Sequence, residues 1–205
     1  MKIGIDIDNT LTDTLPVLKD ACGRYNKEVV QRDLIMNETG FATYNLFDWT
    51  EEEEFDFCHK YIASVLSKVP IKSGAIEVLK QLEENGDEIH IITARTDTHL
   101  DNAYAFTKQF LDKNNIAYNK LIVGCTDKLA YCKEVGISLM VDDEPQNIKS
   151  ISKEIPVIVF EGPHNKNVGG KNIVKVNSWN RVYEVIEAIK KYELTRKEEQ
   201  YLLLE

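Results

Sequence analysis

Apolar and polar positions alternate with a period of two at the start of the chain, where Ile3, Ile5 and Ile7 are separated by Gly4 and Asp6. β-Branched residues at every second position predict a buried central strand, and Gly4 lets another backbone approach it closely. The period then lengthens. Leu15, Leu18, Ala21, Cys22 and Tyr25 recur at spacings of three and four, with Pro16 near the start, and predict a helix. Gln31 to Trp49 is irregular and aromatic, with Phe41, Tyr44, Phe47 and Trp49 inside nine residues. A second helix is expected from Thr50, which caps it while Glu53 closes the capping box; its apolar face reads Phe55, Cys58, Tyr61, Ile62, Val65 and Leu66. The acidic run Glu51 to Glu54 is then a favourable first turn and not a metal site.

After Pro70 and Ser73-Gly74 the pattern becomes a regular alternation of strand and helix. Predicted helices cover Ala75 to Asn85, Leu100 to Lys113, Lys128 to Val135 and Gln146 to Ser152, and a last one is capped by Ser178. Between them lie predicted strands at Glu88 to Ile92, Lys120 to Gly124, Ser138 to Val141, Ile155 to Phe160 and Ile173 to Val176. The near-continuous apolar run from Ile155 to Phe160 fits a parallel strand covered on both faces. The expectation is an α/β fold with a doubly wound, Rossmann-like parallel sheet and a small helical cap inserted after the first strand. Its core comprises residues 1–13 and 73–192 and its cap residues 14–72, leaving a charged C-terminal tail, 193–205, without an assignment.

Composition narrows the partners. The 205 residues carry 34 acidic against 25 basic side chains, a net charge of −9, which argues against a nucleic-acid polymer or an anionic membrane as ligand. No apolar run approaches the roughly 18 residues of a membrane span. Cys22, Cys58, Cys125 and Cys132 form no Cys-x-x-Cys pair, and no basic-then-apolar leader precedes them, so reduced thiols in a cytoplasm are expected.

Candidate chemistry gathers where the predicted strands end. Asp6 and Asp8, two apart, are expected on one side of their strand roughly 7 Å apart, where their charges repel unless a cation lies between them. A hard divalent ion with oxygen ligands, Mg²⁺ above others, is the natural partner. In an open parallel sheet ligands bind beyond the carboxyl ends of the strands, which here deliver Asp6, Asp8, Thr93, Asp142 and Asp143, with Lys128 opening a helix nearby. Such a set suits phosphoryl transfer. One carboxylate attacks phosphorus, a second protonates the leaving oxygen and later deprotonates water, and cations and a threonine hydroxyl hold the phosphoryl oxygens. His59, His90, His99 and His164 show no metal-ligand spacing, and His90 reads as a hydrogen-bonded core residue.

The order Asp6-x-Asp8-x-Thr10, strand-terminal Thr93, Lys128 and the Asp142-Asp143 pair resembles motifs I to IV of the haloacid dehalogenase superfamily, over roughly residues 1–12 and 73–160. The resemblance implies Asp6 as nucleophile and Asp8 as general acid/base, the latter also lending its backbone carbonyl to Mg²⁺. It implies phosphate binding by Thr93, with Ala94 beside it, and by Lys128, and a metal site completed by Asp142 or Asp143. The insert between Thr14 and Lys72 falls where that superfamily places its first type of cap. Within the superfamily, Ile3 to Asp13, Ile92-Thr93-Ala94-Arg95 and Val141 to Pro145 are similar to the 5′-nucleotidase type C family, which includes 5′(3′)-deoxyribonucleotidases and bacterial nucleotidases.

The resemblance therefore implies a cytoplasmic Mg²⁺-dependent phosphomonoester hydrolase of nucleoside monophosphates, with a homodimer compatible with it. A sugar-phosphate or other small-metabolite phosphatase has the same chemistry and stands as the alternative. A phospho-accepting receiver module uses similar residue types, but there the acidic pair comes first and the acceptor after it, whereas here the acceptor motif leads. Substrate choice is expected in the cap. Phe41, Tyr44, Phe47 and Trp49 are either the cap's own core or base-stacking rings, and Arg95 either touches phosphate or pairs with Asp97 or Asp101.

Overall fold

The computed structural model describes residues 1–202, with side chains through residue 192. Six strands, β1 (Lys2–Ile5), β2 (Glu88–Ile92), β3 (Lys120–Ile122), β4 (Leu139–Asp142), β5 (Val157–Phe160) and β6 (Ile173–Val176), form one sheet in the order β3-β2-β1-β4-β5-β6. Every neighbouring pair is parallel, as an α/β doubly wound sheet requires. The order reverses between β1 and β4, so the crevice at their carboxyl ends is the fold's natural ligand site.

Strand parity builds two layers. Ile3, Ile5, Ile89, Ile91, Leu139, Val141, Ile158 and Phe160 face one side and pack on Val78, Leu79 and Leu82 of α5 (Ala75–Glu84), Phe110 and Leu111 of α6 (Ala103–Lys113), and Val182 and Ile186 of α9 (Trp179–Leu202). The residues between them, Ile92, Met140, Val157 and Val159, face the other side, onto Cys132 of α7 (Lys128–Val135) and Ile148 and Ile151 of α8 (Pro145–Ile151). Gly4 lies on this second side, where an added Cβ would meet Met140 Sδ at 2.5 Å and Ile92 Cδ1 at 3.0 Å. A side chain there would push β4 or β2 away from β1. His90 also points to this side and is a satisfied core residue, within hydrogen-bond reach of Tyr131 Oη at 2.9 Å and Glu88 Oε1 at 2.8 Å.

Between β1 and α5 the chain makes a helical insertion. It contains α1 (Thr14–Tyr25), α2 (Thr43–Leu46), α3 (Glu51–Phe57) and α4 (Ala63–Leu66), with π-helical turns at Asn26–Val30 and Cys58–Ile62. Its two ends lie side by side: Thr12 and Ile71 form an antiparallel bridge, and Asp13 N and Lys72 N donate to Pro70 O and Leu11 O, each at 2.9 Å. Leu18, Cys22, Tyr25, Leu46, Phe57, Cys58, Ile62, Val65 and Leu66 give it a core of its own, which Leu100 and Ala103 of the main body join.

The capping box at Thr50 forms as its sequence implies, with Glu53 N donating to Thr50 Oγ1 at 3.2 Å and Thr50 N to Glu53 Oε2 at 2.8 Å. The expected apolar face shifts, however. Phe55 and Tyr61 are 59% and 42% exposed, and Phe57 takes the buried place at 1%. The physical reason is the π-turn that begins at Cys58, which adds a residue to one turn and breaks the 3.6-residue phase on which the expectation rests. The charged tail, which the sequence pattern leaves without an assignment, continues α9 as helix to Leu202, and residues 203–205 lie outside those described.

Candidate active site

β1 ends at Ile5, and the chain then turns sharply through Asp6 to Thr12. Asp6 N still donates to Val141 O at 3.0 Å, which anchors the first acidic residue to β4. Asn9 adopts φ 63°, a left-handed conformation that asparagine tolerates, and its Oδ1 accepts from Leu15 N at 2.7 Å, tying the turn to the start of α1. Thr12 closes the loop by donating through Oγ1 to Ile7 O at 3.0 Å.

The turn separates two carboxylates that an extended strand would align. Asp6 joins Asp142 and Asp143 from the end of β4, and each of the three offers an oxygen lying within 4.8 Å of the others'. Lys128, the first residue of α7, reaches into this cluster with Nζ 2.5 Å from Asp6 Oδ1 and 2.8 Å from Asp142 Oδ2. Asp8 turns elsewhere: its Oδ2 accepts from Arg95 Nε at 2.9 Å, and its Oδ1 from Arg95 Nη2 and Thr14 Oγ1, both at 2.8 Å. The expectation of a cation between the Asp6 and Asp8 carboxylates is thereby corrected. Asp8 has a guanidinium partner of its own, because the period-two argument ends where β1 ends. Arg95 likewise touches neither Asp97 nor Asp101; Asp97 instead accepts from Ala103 N at 2.7 Å, at the head of α6.

Electrostatics divide the two carboxylates further. Burial pushes the Asp6 carboxyl well above its usual range; Lys128 opposes the shift, while Asp142, Asp143 and Asp8 add to it. Burial likewise raises Asp143, with Asp142 adding to the rise and the His164 hydrogen bond opposing it. For Asp8, burial would raise the carboxyl, but the charge and hydrogen bonds of Arg95, with Thr14, more than offset it and hold the group below its ordinary value. Burial alone would lower the Lys128 ammonium; Asp142 and Asp6 keep it firmly charged. Three buried carboxylates facing one ammonium leave an excess of negative charge that a hard divalent cation would balance, and all three donors are oxygens, the set Mg²⁺ prefers. The residues therefore fit the group.

Thr93 follows β2 and is buried, its Oγ1 accepting from Arg95 N at 3.3 Å. With Ala94, Arg95, Lys128, Asp6 and Asp8 it borders a cavity of about 300 Å³ at the carboxyl edge of the sheet, roofed by the insertion. Phe41 and Tyr44 border the same cavity, with ring centroids 6.2 Å apart and edge-to-face. Phe47 and Trp49 do not border it. They stack on each other at 5.4 Å inside the insertion's core, where Trp49 Nε1 donates to Asn26 Oδ1 at 3.0 Å, so of the two roles open to them this pair takes the packing one.

Sequence reasoning missed three groups. Thr10, in the leading motif but without a role, donates to Asp143 Oδ1 at 3.0 Å, and Thr14 binds Asp8. His164 Nε2 lies 2.8 Å from Asp143 Oδ2. The signal for His164 was its position in the loop after β5, since every such loop of a parallel sheet opens onto the same edge.

Comparison with known proteins shows the family of the chain. The family model described as 5′ nucleotidase, deoxy (pyrimidine), cytosolic type C matches residues 1–192. "Putative nucleotidase YqfW" of Bacillus subtilis is 31% identical over 185 residues, covering 87% of this chain and 90% of that protein. "Putative 5′(3′)-deoxyribonucleotidase" of Chlorobaculum tepidum is 25% identical over 197 residues, covering 91% and 90%. Among solved structures, "a predicted phosphatase from Clostridium acetobutylicum" superposes with a TM-score of 0.65 at 18% identity, covering 91% of this chain and 98% of that one, a likeness of fold.

Proposed function

Because the chain belongs to the cytosolic type C 5′ nucleotidase family and is a phosphomonoester hydrolase, we propose that it dephosphorylates nucleoside and deoxynucleoside monophosphates through an aspartyl-phosphate on Asp6. The observation that carries the reading is the buried group of Asp6, Asp142 and Asp143 bridged by Lys128 at the sheet's carboxyl edge, beneath a cavity with two aromatic rings.

In the proposed sequence a carboxylate oxygen of Asp6 attacks phosphorus as the bond to the leaving oxygen breaks, and that oxygen takes a proton from Asp8. Water then attacks the aspartyl-phosphate, Asp8 recovers the proton, and Asp6 is released with inorganic phosphate. Lys128 and the Thr93 hydroxyl hold the phosphoryl oxygens. Asp6, Asp142 and Asp143 would hold Mg²⁺, which would add further neutralisation of the phosphoryl charge. Asp8 paired with Arg95 is in its charged form, the form the second step needs; before the first it must exchange that partner for a proton.

The insertion between Thr14 and Ile71 acts as a cap in this reading, and the selectivity lies in it, since the carboxyl edge recognises only phosphate. A base stacked on a ring gains about 1–3 kcal/mol, roughly ten- to a hundredfold in affinity, which ribose 5-phosphate forgoes. Phe41 and Tyr44 are the rings placed to provide it. We assign the reaction to the cytoplasm, where four unpaired cysteines are stable.

The test is phosphate release from a panel of nucleoside monophosphates and sugar phosphates, with Mg²⁺, with Ca²⁺ and with excess chelator. Nucleotides should lead, Mg²⁺ should outperform the larger Ca²⁺, whose looser coordination misplaces oxygen ligands, and chelator should stop turnover. Equal kcat/KM for ribose 5-phosphate would overturn the nucleotide reading, and full activity in chelator the metal.

A further inference from the structure

The loop after β5 holds Asp143 at two points. Asn165 Nδ2 donates to the main-chain oxygens of Asp143 and Phe160, both at 2.8 Å, and so ties the end of β5 to the residue that follows β4. His164, next in the chain, has Nε2 2.8 Å from the carboxylate oxygen Oδ2 of Asp143, and its side chain is only 3% exposed. With Thr10 Oγ1 donating to Oδ1 at 3.0 Å, both oxygens of that carboxylate are engaged, and its rotation is fixed.

The imidazole itself has little freedom. Phe41 of the insertion stacks on it with centroids 4.9 Å apart and planes 30° apart. On another side the backbone at Gly162 comes so near that an added Cβ would lie 2.9 Å from His164 Cε1. Nδ1 is buried with no hydrogen-bond partner among the described residues, so Nε2 makes the ring's single polar contact in this set. A buried imidazole that forgoes one hydrogen bond to make the other is held for the bond it makes.

We propose that His164 is a positioning residue for the cation site: its Nε2–H fixes the Asp143 carboxylate so that the oxygens of Asp143, Asp6 and Asp142 stay together for one divalent ion. The inference rests on the reading of these three carboxylates as the Mg²⁺ site. Hydrogen bonds of this outer kind orient metal ligands, and losing one typically weakens metal binding about ten- to a hundredfold.

The test is calorimetric titration of Mg²⁺ into the full chain and its His164→Leu, His164→Asn and His164→Gln variants, with the metal-free Tm of each as a check on folding. Leu keeps bulk without a donor, Asn carries an amide too short to reach where Nε2 lies, and Gln places a donor near it. Leu and Asn should bind Mg²⁺ about ten- to a hundredfold more weakly than the wild type, and Gln should recover most of the loss. The Mg²⁺ concentration giving half-maximal phosphate release should move with these affinities. Wild-type affinity in the folded Leu or Asn variant, or a Gln variant as weak as they are, would overturn the role of the donor while leaving the cation site intact. A wild-type chain that binds no Mg²⁺ would overturn both together.

Discussion

Arg95 grips Asp8 through two parallel hydrogen bonds, Nε to Oδ2 at 2.9 Å and Nη2 to Oδ1 at 2.8 Å, and so joins the loop after β2 to the loop after β1. The pairing sets the charge state of the proposed acid/base before any substrate arrives.

The first prediction concerns stability against pH in metal-free protein. Arg95→Met should lower stability by about 1–3 kcal/mol at pH 7, less than the ~3–5 kcal/mol of a fully buried pair, since the Asp8 side chain keeps 30% of its exposure. The folded-state carboxyl of Asp8 lies below its ordinary value, so the pair's contribution is present above the unfolded pKa of about 3.9 and is lost as pH falls through the folded one. The gap between wild type and variant in urea unfolding should therefore be constant near neutrality and close below about pH 4. A gap that persisted unchanged at pH 3 would show that Arg95 acts through packing against Phe110, over whose ring its Cζ sits at 5.4 Å.

Asp6→Asn and Asp8→Asn should separate the two carboxylates by kinetics. With the nucleophile gone, Asp6→Asn should show no turnover on any leaving group. Asp8→Asn should lose about 10²–10⁴-fold on alkyl phosphates, the usual worth of general acid/base help, and far less on an aryl phosphate whose leaving group needs no proton. Equal losses in kcat/KM on both substrates for Asp8→Asn, a ratio that reports the step before the aspartyl-phosphate is hydrolysed, would place its role in binding, whereas equal losses in kcat alone would place it in that shared hydrolysis.

Among the four aromatic residues from 41 to 49, the structure separates two that border the cavity from two that do not. Tyr44→Ala, and Phe41→Ala where it folds, should narrow the preference for nucleotides over ribose 5-phosphate by about ten- to a hundredfold. Trp49→Ala should leave that ratio unchanged while lowering Tm, because Trp49 packs against Tyr25, Phe47 and Phe57. Paired kcat/KM and Tm measurements on the three variants check this.

What the sequence made legible was whatever depends on local periodicity or on the topology of a parallel sheet. Ile3 and Ile5, the Thr50 cap and the start of α7 at Lys128 are local, and all appear where their neighbours in sequence put them. Asp6, Lys128 and Asp142 converge because each stands at the carboxyl edge of the sheet. Illegible features needed the third dimension. Asp8 finds Arg95 because β1 has ended at Ile5 and strand alternation no longer sets its direction, Phe57 replaces Phe55 because a π-turn resets the helix phase, and His164 meets Asp143 across two loops with no sequence spacing to mark it.

Lys128 has a consequence for the life of the protein outside its reaction. A domain whose metal is its scaffold, such as a zinc finger, is unfolded until the ion arrives and falls apart when a chelator removes it. Here the ammonium of Lys128 stands between Asp6 and Asp142 as an internal counter-ion, tying the start of α7 to the ends of β1 and β4 through protein groups alone. An ion taken up at the proposed site would therefore serve as a reagent and not as the scaffold of the fold. Chelation would then stop the proposed reaction while leaving the sheet standing, and added Mg²⁺ would restore turnover without refolding.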